Sequence, residues 1–291
     1  MSENVAYETL TLSHPFMFGK IAMDKTYCQI ILSSLLNEEI HLDDDPIREK
    51  FIQIKSESKF IRLDLFAKDT QSQVYNAEMQ NLSKNSEKQS ELPKRSRYYQ
   101  SLIDAELLDS GIHYRFLNKS YVIFICTFDP FDEGLYRYTF QNRCDEIPEL
   151  TLGDECIKIF YNTKGDLTNA PEKTRAFLEY LESQKISNKD METLNNAVST
   201  GVLNEEWRAE YMIMHIHDMD MMEEGRIDGI SQGLYLGEKK NTLTLIQKKI
   251  AKSKSLEQIA EELEEDISSL QPLYDLVIKN PEKTVDELLG L

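Results

Sequence analysis

Between Phe60 and Ala67 the side chains alternate in character. Phe60, Arg62, Asp64 and Phe66 share one side, and Ile61, Leu63, Leu65 and Ala67 share the other. A period of two predicts a strand. After a polar turn at Lys68–Ser72, the segment Val74–Gln80 repeats the pattern, with Asn76, Glu78 and Gln80 set against Tyr75, Ala77 and Met79. The two segments predict a β-hairpin whose strands both direct carboxylates one way. Further strands are expected at Tyr121–Phe128, Leu135–Phe140 and Cys156–Asn162. The first of these is almost wholly apolar, which suits a strand buried on both faces.

Helical periodicity appears first at Lys25–Asn37, where Ile31, Leu32, Leu35 and Leu36 form an apolar stripe behind Asp24 at the N-cap position. Asn81–Glu91 reads as a polar loop or weak helix start, and a helix is expected from Lys94 to Ser110, behind Pro93 and before Gly111. A polar helical region follows from Pro171 to His217. Gly225, Gly229, Gly233 and Gly237 then recur every fourth residue, which reads as a degenerate linker repeat. An amphipathic unit closes the sequence at Lys254–Leu291. The expected organisation is a core at 1–165, a helical extension at 166–217, and a linker with a C-terminal helical unit at 218–291.

Composition narrows the class. No run of about 18 apolar residues exists, so no membrane span is expected. The N-terminal stretch does not read as a secretory signal, so a cytoplasmic protein is expected. Four cysteines without a C-x-x-C pair argue for reduced thiols rather than a zinc site. The net charge of −18 disfavours broad adhesion to nucleic acid. Gln53–Gln100 departs from that trend, with nine basic against six acidic residues. Such a stretch is a candidate phosphate-facing surface. The region Asp218–Leu291 holds sixteen acids against nine bases, which favours protein contact or self-association over DNA reading.

Asp64 and Glu78 are the candidate chemistry. Carboxylates from two adjacent strands can share a hard cation such as Mg²⁺. The carbonyl of Met79 offers a third ligand, and Gln80 faces the same way to orient a water. Pattern alone leaves open that Asn76, Glu78 and Gln80 form a solvated strand face. Asp24 is a candidate acid from the first helix, with an N-cap role the simpler reading. Arg95, Arg97, Tyr99 and Gln100 are candidate DNA contacts near a helix start. Packing is the alternative for the tyrosines. Asp129 and Arg143 are candidates to brace the site from behind.

The words RLDLFAKD, YNAEMQ, LPKRSRYYQSLIDAELL, YVIFICTFDPF and GLYRYTFQNRC follow one another in order. Together they resemble the recombination-promoting nucleases, also described as transposase-like, of the PD-(D/E)XK nuclease superfamily. The likeness runs from about Pro15 to Asn162. It implies a restriction-endonuclease-like α/β core: a mixed sheet flanked by helices, here with a helical C-terminal appendage. It also implies an endonuclease dependent on Mg²⁺, with Mn²⁺ as an alternative, that acts on DNA and promotes recombination. Asp64 matches the superfamily's aspartate and Glu78 its second acid. Gln80 stands where lysine is usual, which replaces a positive charge with dipoles. Two other readings stay open: a weak or inactive member acting as a DNA- or protein-interaction module, and a strand-transfer enzyme. Self-association through the C-terminal helices is expected alongside.

Overall fold

A computed structural model describes residues 5–52, 61–81, 87–108 and 111–290, with the side chains of 48–52, 61–64, 87–88, 217–218 and 220–222 left out. Phe60 and Ser110, the expected ends of a strand and a helix, lie outside the described residues. The chain divides into two compact units, 1–211 and 212–291.

The first unit is a mixed α/β structure. Its described strands are β1 (Ile47–Ile52), β2 (Ile61–Lys68), β3 (Val74–Gln80), β4 (Ser120–Cys126), β5 (Arg137–Phe140) and β6 (Cys156–Asn162). They form one sheet in the order β1-β2-β3-β4-β6-β5. The expected hairpin is present: β2 and β3 are antiparallel, in register from Leu65 opposite Ala77 to Lys68 opposite Val74. Asp69 shapes its turn, because its carboxylate accepts from the backbone N–H of Gln71 at 2.9 Å and of Gln73 at 2.8 Å, and from the Tyr75 hydroxyl at 2.8 Å. The strand β4 is buried along its whole length and runs parallel to both β3 and β6. That explains its continuous apolar run. The strand β1, which pairs with β2, stands in a segment for which no strand was expected.

Helices cover both faces. The helices α1 (Pro15–Ile21), α2 (Lys25–Leu36), α4 (Glu172–Ser183) and α5 (Lys189–Val202) form one layer. In it α1 packs against β2, β3 and α5, and α2 against α4 and α5. Thr174 donates to the Ser34 carbonyl at 2.7 Å, and the Tyr161 hydroxyl donates to the Leu35 carbonyl. The expected extension at 166–217 is therefore, as far as Tyr211, built into the first unit. The opposite face is covered by α3 (Glu87–Leu107), whose Leu92, Tyr99, Leu102 and Ile103 join Phe66, Val122, Phe124 and Phe160 in one core. This helix is already formed at Glu87, seven residues before the expected start, and Pro93 lies inside it.

The glycine-punctuated stretch is not a linker. It lies within α6 (Glu205–Ile250), a continuous helix that begins in the first unit. In the second unit α7 (Leu256–Leu263), α8 (Ile267–Lys279) and α9 (Val285–Leu289) follow. Leu243, Ile246, Ile259, Leu270 and Val277 make its small core. Ser255 and Gln258 form a capping box at the start of α7. All four cysteines are free thiols. No helix among the described residues is long and apolar enough to cross a membrane.

Candidate active site

The face of β3 that carries Asn76, Glu78 and Gln80 is covered, not solvated. The three side chains are 0%, 2% and 7% exposed. Their parallel partners on β4 are Val122, Phe124 and Cys126, which belong to the core beneath α3. Burial of a carboxylate in such a setting is costly unless a positive group and hydrogen bonds compensate.

Arg95 supplies that compensation. From the face of α3 its Nη2 donates to Glu78 Oε2 at 3.0 Å and to the Tyr99 hydroxyl at 2.9 Å. Its Nη1 donates to Gln80 Oε1 at 3.1 Å. Gln80 Nε2 donates to Glu78 Oε2 at 3.3 Å, which closes the ring of contacts. The guanidinium carbon lies 5.4 Å from the Tyr99 ring centre and 5.6 Å from that of Phe124. Arg95 and Tyr99 are four residues apart on one helix, so both side chains reach the same end of β3.

Asp64 lies in β2, one residue beyond the Leu65–Ala77 pair, and its side chain is outside the described residues. Glu78 is likewise one residue beyond Ala77. Carried one step further, the antiparallel register sets the two backbones level. The Gln80 carbonyl accepts from Thr127 N–H at 3.1 Å, on the β4 side. Because successive carbonyls of a strand point to opposite edges, that of Met79 points toward β2.

The remaining candidates are dispersed. Asp24 is the N-cap of α2, accepting from Thr26 N–H at 2.8 Å and Tyr27 N–H at 3.3 Å. Its helix belongs to the layer on the other face of the sheet from Glu78. Among the four candidate DNA contacts only Arg97 has an exposed side chain. Tyr99 is buried against Arg95. Gln100 is buried too, and its Nε2 donates to Asp104 Oδ1 at 2.8 Å and to Ser120 Oγ at 2.6 Å. These two are packing residues because α3 begins well before Arg95, so they lie on its inner face rather than at an open N-terminus.

Asp129 organises the loop after β4, accepting from the N–H groups of Phe131 and Asp132 at 3.1 Å and of Gly134 at 2.7 Å. Its backbone carbonyl accepts from Gln89 of α3 at 3.1 Å, which ties the loop to that helix. Arg143 is exposed; its Nη1 donates to the Pro148 carbonyl at 3.2 Å and its backbone bridges Thr151.

Asn76 was not singled out from sequence. Its side chain is fully buried and neither amide atom has a hydrogen-bond partner among the described residues. Nothing in the spacing distinguishes it from an ordinary strand asparagine.

The donors that Glu78, Gln80 and the Met79 carbonyl present are all oxygen, which suits a hard cation. Among the described residues no three His, Cys, Asp or Glu side chains converge as a metal-holding group. No family model, curated protein or solved structure matches this chain.

Proposed function

We propose that the first unit is a divalent-metal-dependent DNA endonuclease of the PD-(D/E)XK kind, with Asp64, Glu78, Gln80 and the Met79 carbonyl at its centre. The observation that carries this reading is the buried Glu78–Gln80 pair at the carboxyl end of β3, where β2 brings Asp64 level with Glu78. The order of elements supports it: helices, three antiparallel strands, a crossover helix, then a strand parallel to the third. The resemblance to recombination-promoting nucleases implies a mixed sheet with helices on both faces, and this arrangement is consistent with that.

A bound Mg²⁺ or Mn²⁺ would supply an acidified water and neutralise charge at the scissile phosphate. The protein's own groups have separate tasks. Asp64 and Glu78 hold the cation, and the Gln80 amide orients the water. Arg95 fixes the Glu78 carboxylate, and the exposed Arg97 contacts the DNA backbone as a point of positive charge.

The test is nicking of supercoiled plasmid by the purified chain across a titration of Mg²⁺ and of Mn²⁺, beside Asp64→Asn and Glu78→Gln. Loss of roughly 100-fold or more in each variant, with folding retained, is the expected outcome. Equal nicking by the variants, or none by the wild type with either metal, removes the proposal.

The Glu78–Arg95 contact favours a second reading, a non-cleaving interaction module. Here the guanidinium takes the place of a cation and the cluster only holds α3 to the sheet. Calorimetric titration separates the two, since this reading requires that Mg²⁺ and Mn²⁺ give no heat of binding.

A further inference from the structure

The helix α6 spans 46 residues, about 70 Å at the α-helical rise. In the second unit it begins with an unusual surface. Met212, Ile216, Met219, Ile227, Ile230 and Leu234 are all between about half and two-thirds exposed. They follow one another mainly in steps of three and four, with Glu223 filling the one longer gap, so they lie along a single stripe of the helix. Isolated exposed apolar residues need no explanation, but an aligned row over six turns does. Gly225, Gly229, Gly233 and Gly237 lie in the same stretch, and a Cβ added at any of them meets nothing within 4 Å. Each glycine costs a helix about 1 kcal/mol relative to alanine. No packing among the described residues requires them, and of the four Gly237 falls on the stripe, where a second backbone can approach closely.

We propose that this stretch of α6 pairs antiparallel with the same stretch of a second copy of the chain. The area is sufficient: six such side chains on each of two helices bring roughly 1,200 Å² under cover, where specific interfaces begin. A two-fold arrangement makes one self-complementary surface serve both partners.

Charge sets the direction. Residues 218–228 hold five acids and Arg226, while residues 238–249 hold four lysines and Glu238. Antiparallel pairing about Gln232 lays the acidic half of one helix along the basic half of the other. Parallel pairing lays like on like. About that centre Glu224 meets Lys240, Ile230 meets Leu234, and Ile227 meets Gly237, bulk against space. The contact of Lys240 with Asp286 is between half-exposed groups and is weak enough to exchange.

The experiment uses the full chain. Sedimentation velocity at roughly 50 µM is expected to show a dimer, well above the concentration that a stable interface of this size needs. Ile230→Glu with Leu234→Glu is expected to give a monomer with an unchanged circular dichroism spectrum, because both side chains are exposed in the single chain. Glu224→Lys weakens the dimer, and Lys240→Glu in the same chain restores it.

Direction is read by cysteine cross-linking on a background with Cys144 and Cys156 replaced by serine. Glu224→Cys and Lys240→Cys proteins, mixed and treated with the thiol oxidant diamide, should form a disulfide with each other and not with themselves. A monomeric wild type overturns the proposal. So does self-cross-linking of each single variant, which marks a parallel pair, or a dimer indifferent to the Ile230 and Leu234 changes.

Discussion

Replacing Arg95 with methionine tests whether the Glu78 cluster is an integral part of the fold. Exposed ion pairs contribute less than about 1 kcal/mol. Removing one member of a buried, hydrogen-bonded pair costs about 3–5 kcal/mol, because the remaining charge keeps its desolvation penalty. Glu78 is 2% exposed, which places it in the second class. The Arg95 side chain is 30% exposed, so water screens its end of the contact and the lower figure applies. Loss of Arg95 also leaves Gln80 Oε1 and the Tyr99 hydroxyl each short of one donor, while methionine keeps most of the packing over Tyr99 and Phe124. The expected loss is about 3 kcal/mol, which for a unit of this size lowers Tm by about 9 °C.

Adding Glu78→Gln removes the buried charge as well, so the double variant should regain most of that loss. Thermal and urea unfolding of the four proteins of this cycle measures the coupling directly. A shift below about 2 °C for Arg95→Met, or strict additivity in the cycle, refutes the account of a compensated buried carboxylate. The same variants bear on the nuclease reading. If Glu78 also serves a cation, Mg²⁺ should stabilise Arg95→Met more than the wild type, since the guanidinium no longer competes for the carboxylate.

Two further predictions concern the frame around the cluster. Gly165→Ala places a Cβ 2.4 Å from the Leu135 carbonyl oxygen and 2.5 Å from its carbon, both backbone atoms that cannot rotate away; a loss above about 3 kcal/mol in urea unfolding is expected, and a near-wild-type midpoint contradicts it. At Asp129 burial pushes the carboxyl upward, but the Tyr138 hydroxyl and the N–H groups of Gly134, Phe131 and Asp132 outweigh it and hold the group below its ordinary value. A depressed folded value contributes stability that is present above the unfolded value and is lost as pH falls through the folded one. Asp129→Asn should therefore lower stability at neutral pH, with the gap to the wild type closing below about pH 4, and a gap independent of pH counts against the assignment.

Much of the sheet was legible because its strands are buried in simple ways. Cys156–Asn162 and Val74–Gln80 match their expected limits, and the apolar run at 121–126 could only be a central strand. The strand Ile47–Ile52 was not legible, since IREKFI sets three charged residues in a row at its centre and so shows no period of two. Its recorded pairing is with β2 alone, and a strand under no demand to be buried on both faces need not show a clean pattern. The first turns of α3 failed for a different reason: EKQSE is polar and Pro93 reads as a helix start, yet Pro93 lies inside the helix, which forgoes one backbone hydrogen bond there while Leu92 is buried in the core. The helix α6 failed because glycine every fourth residue reads as punctuation, although its neighbours are good helix formers and four penalties of about 1 kcal/mol do not break a long helix.

The candidate site shows the same divide more sharply. That Asn76, Glu78 and Gln80 share a face follows from period two alone. Whether that face meets water or a helix does not, and the answer reverses the energetics: an exposed Glu-x-Gln is ordinary surface, a buried one demands a cation. Arg95 stands seventeen residues from Glu78 in sequence, and only the crossover from β3 through α3 to β4 folds it back over the strand it neutralises. A phosphate role for Arg95 needs an open helix start, and α3 is already formed at Glu87. The value of Arg95 as the counter-charge follows from where the helix lies. The cluster thus already contains one cation, the Arg95 guanidinium, so any metal drawn to Glu78 meets a carboxylate that has its counter-charge in place.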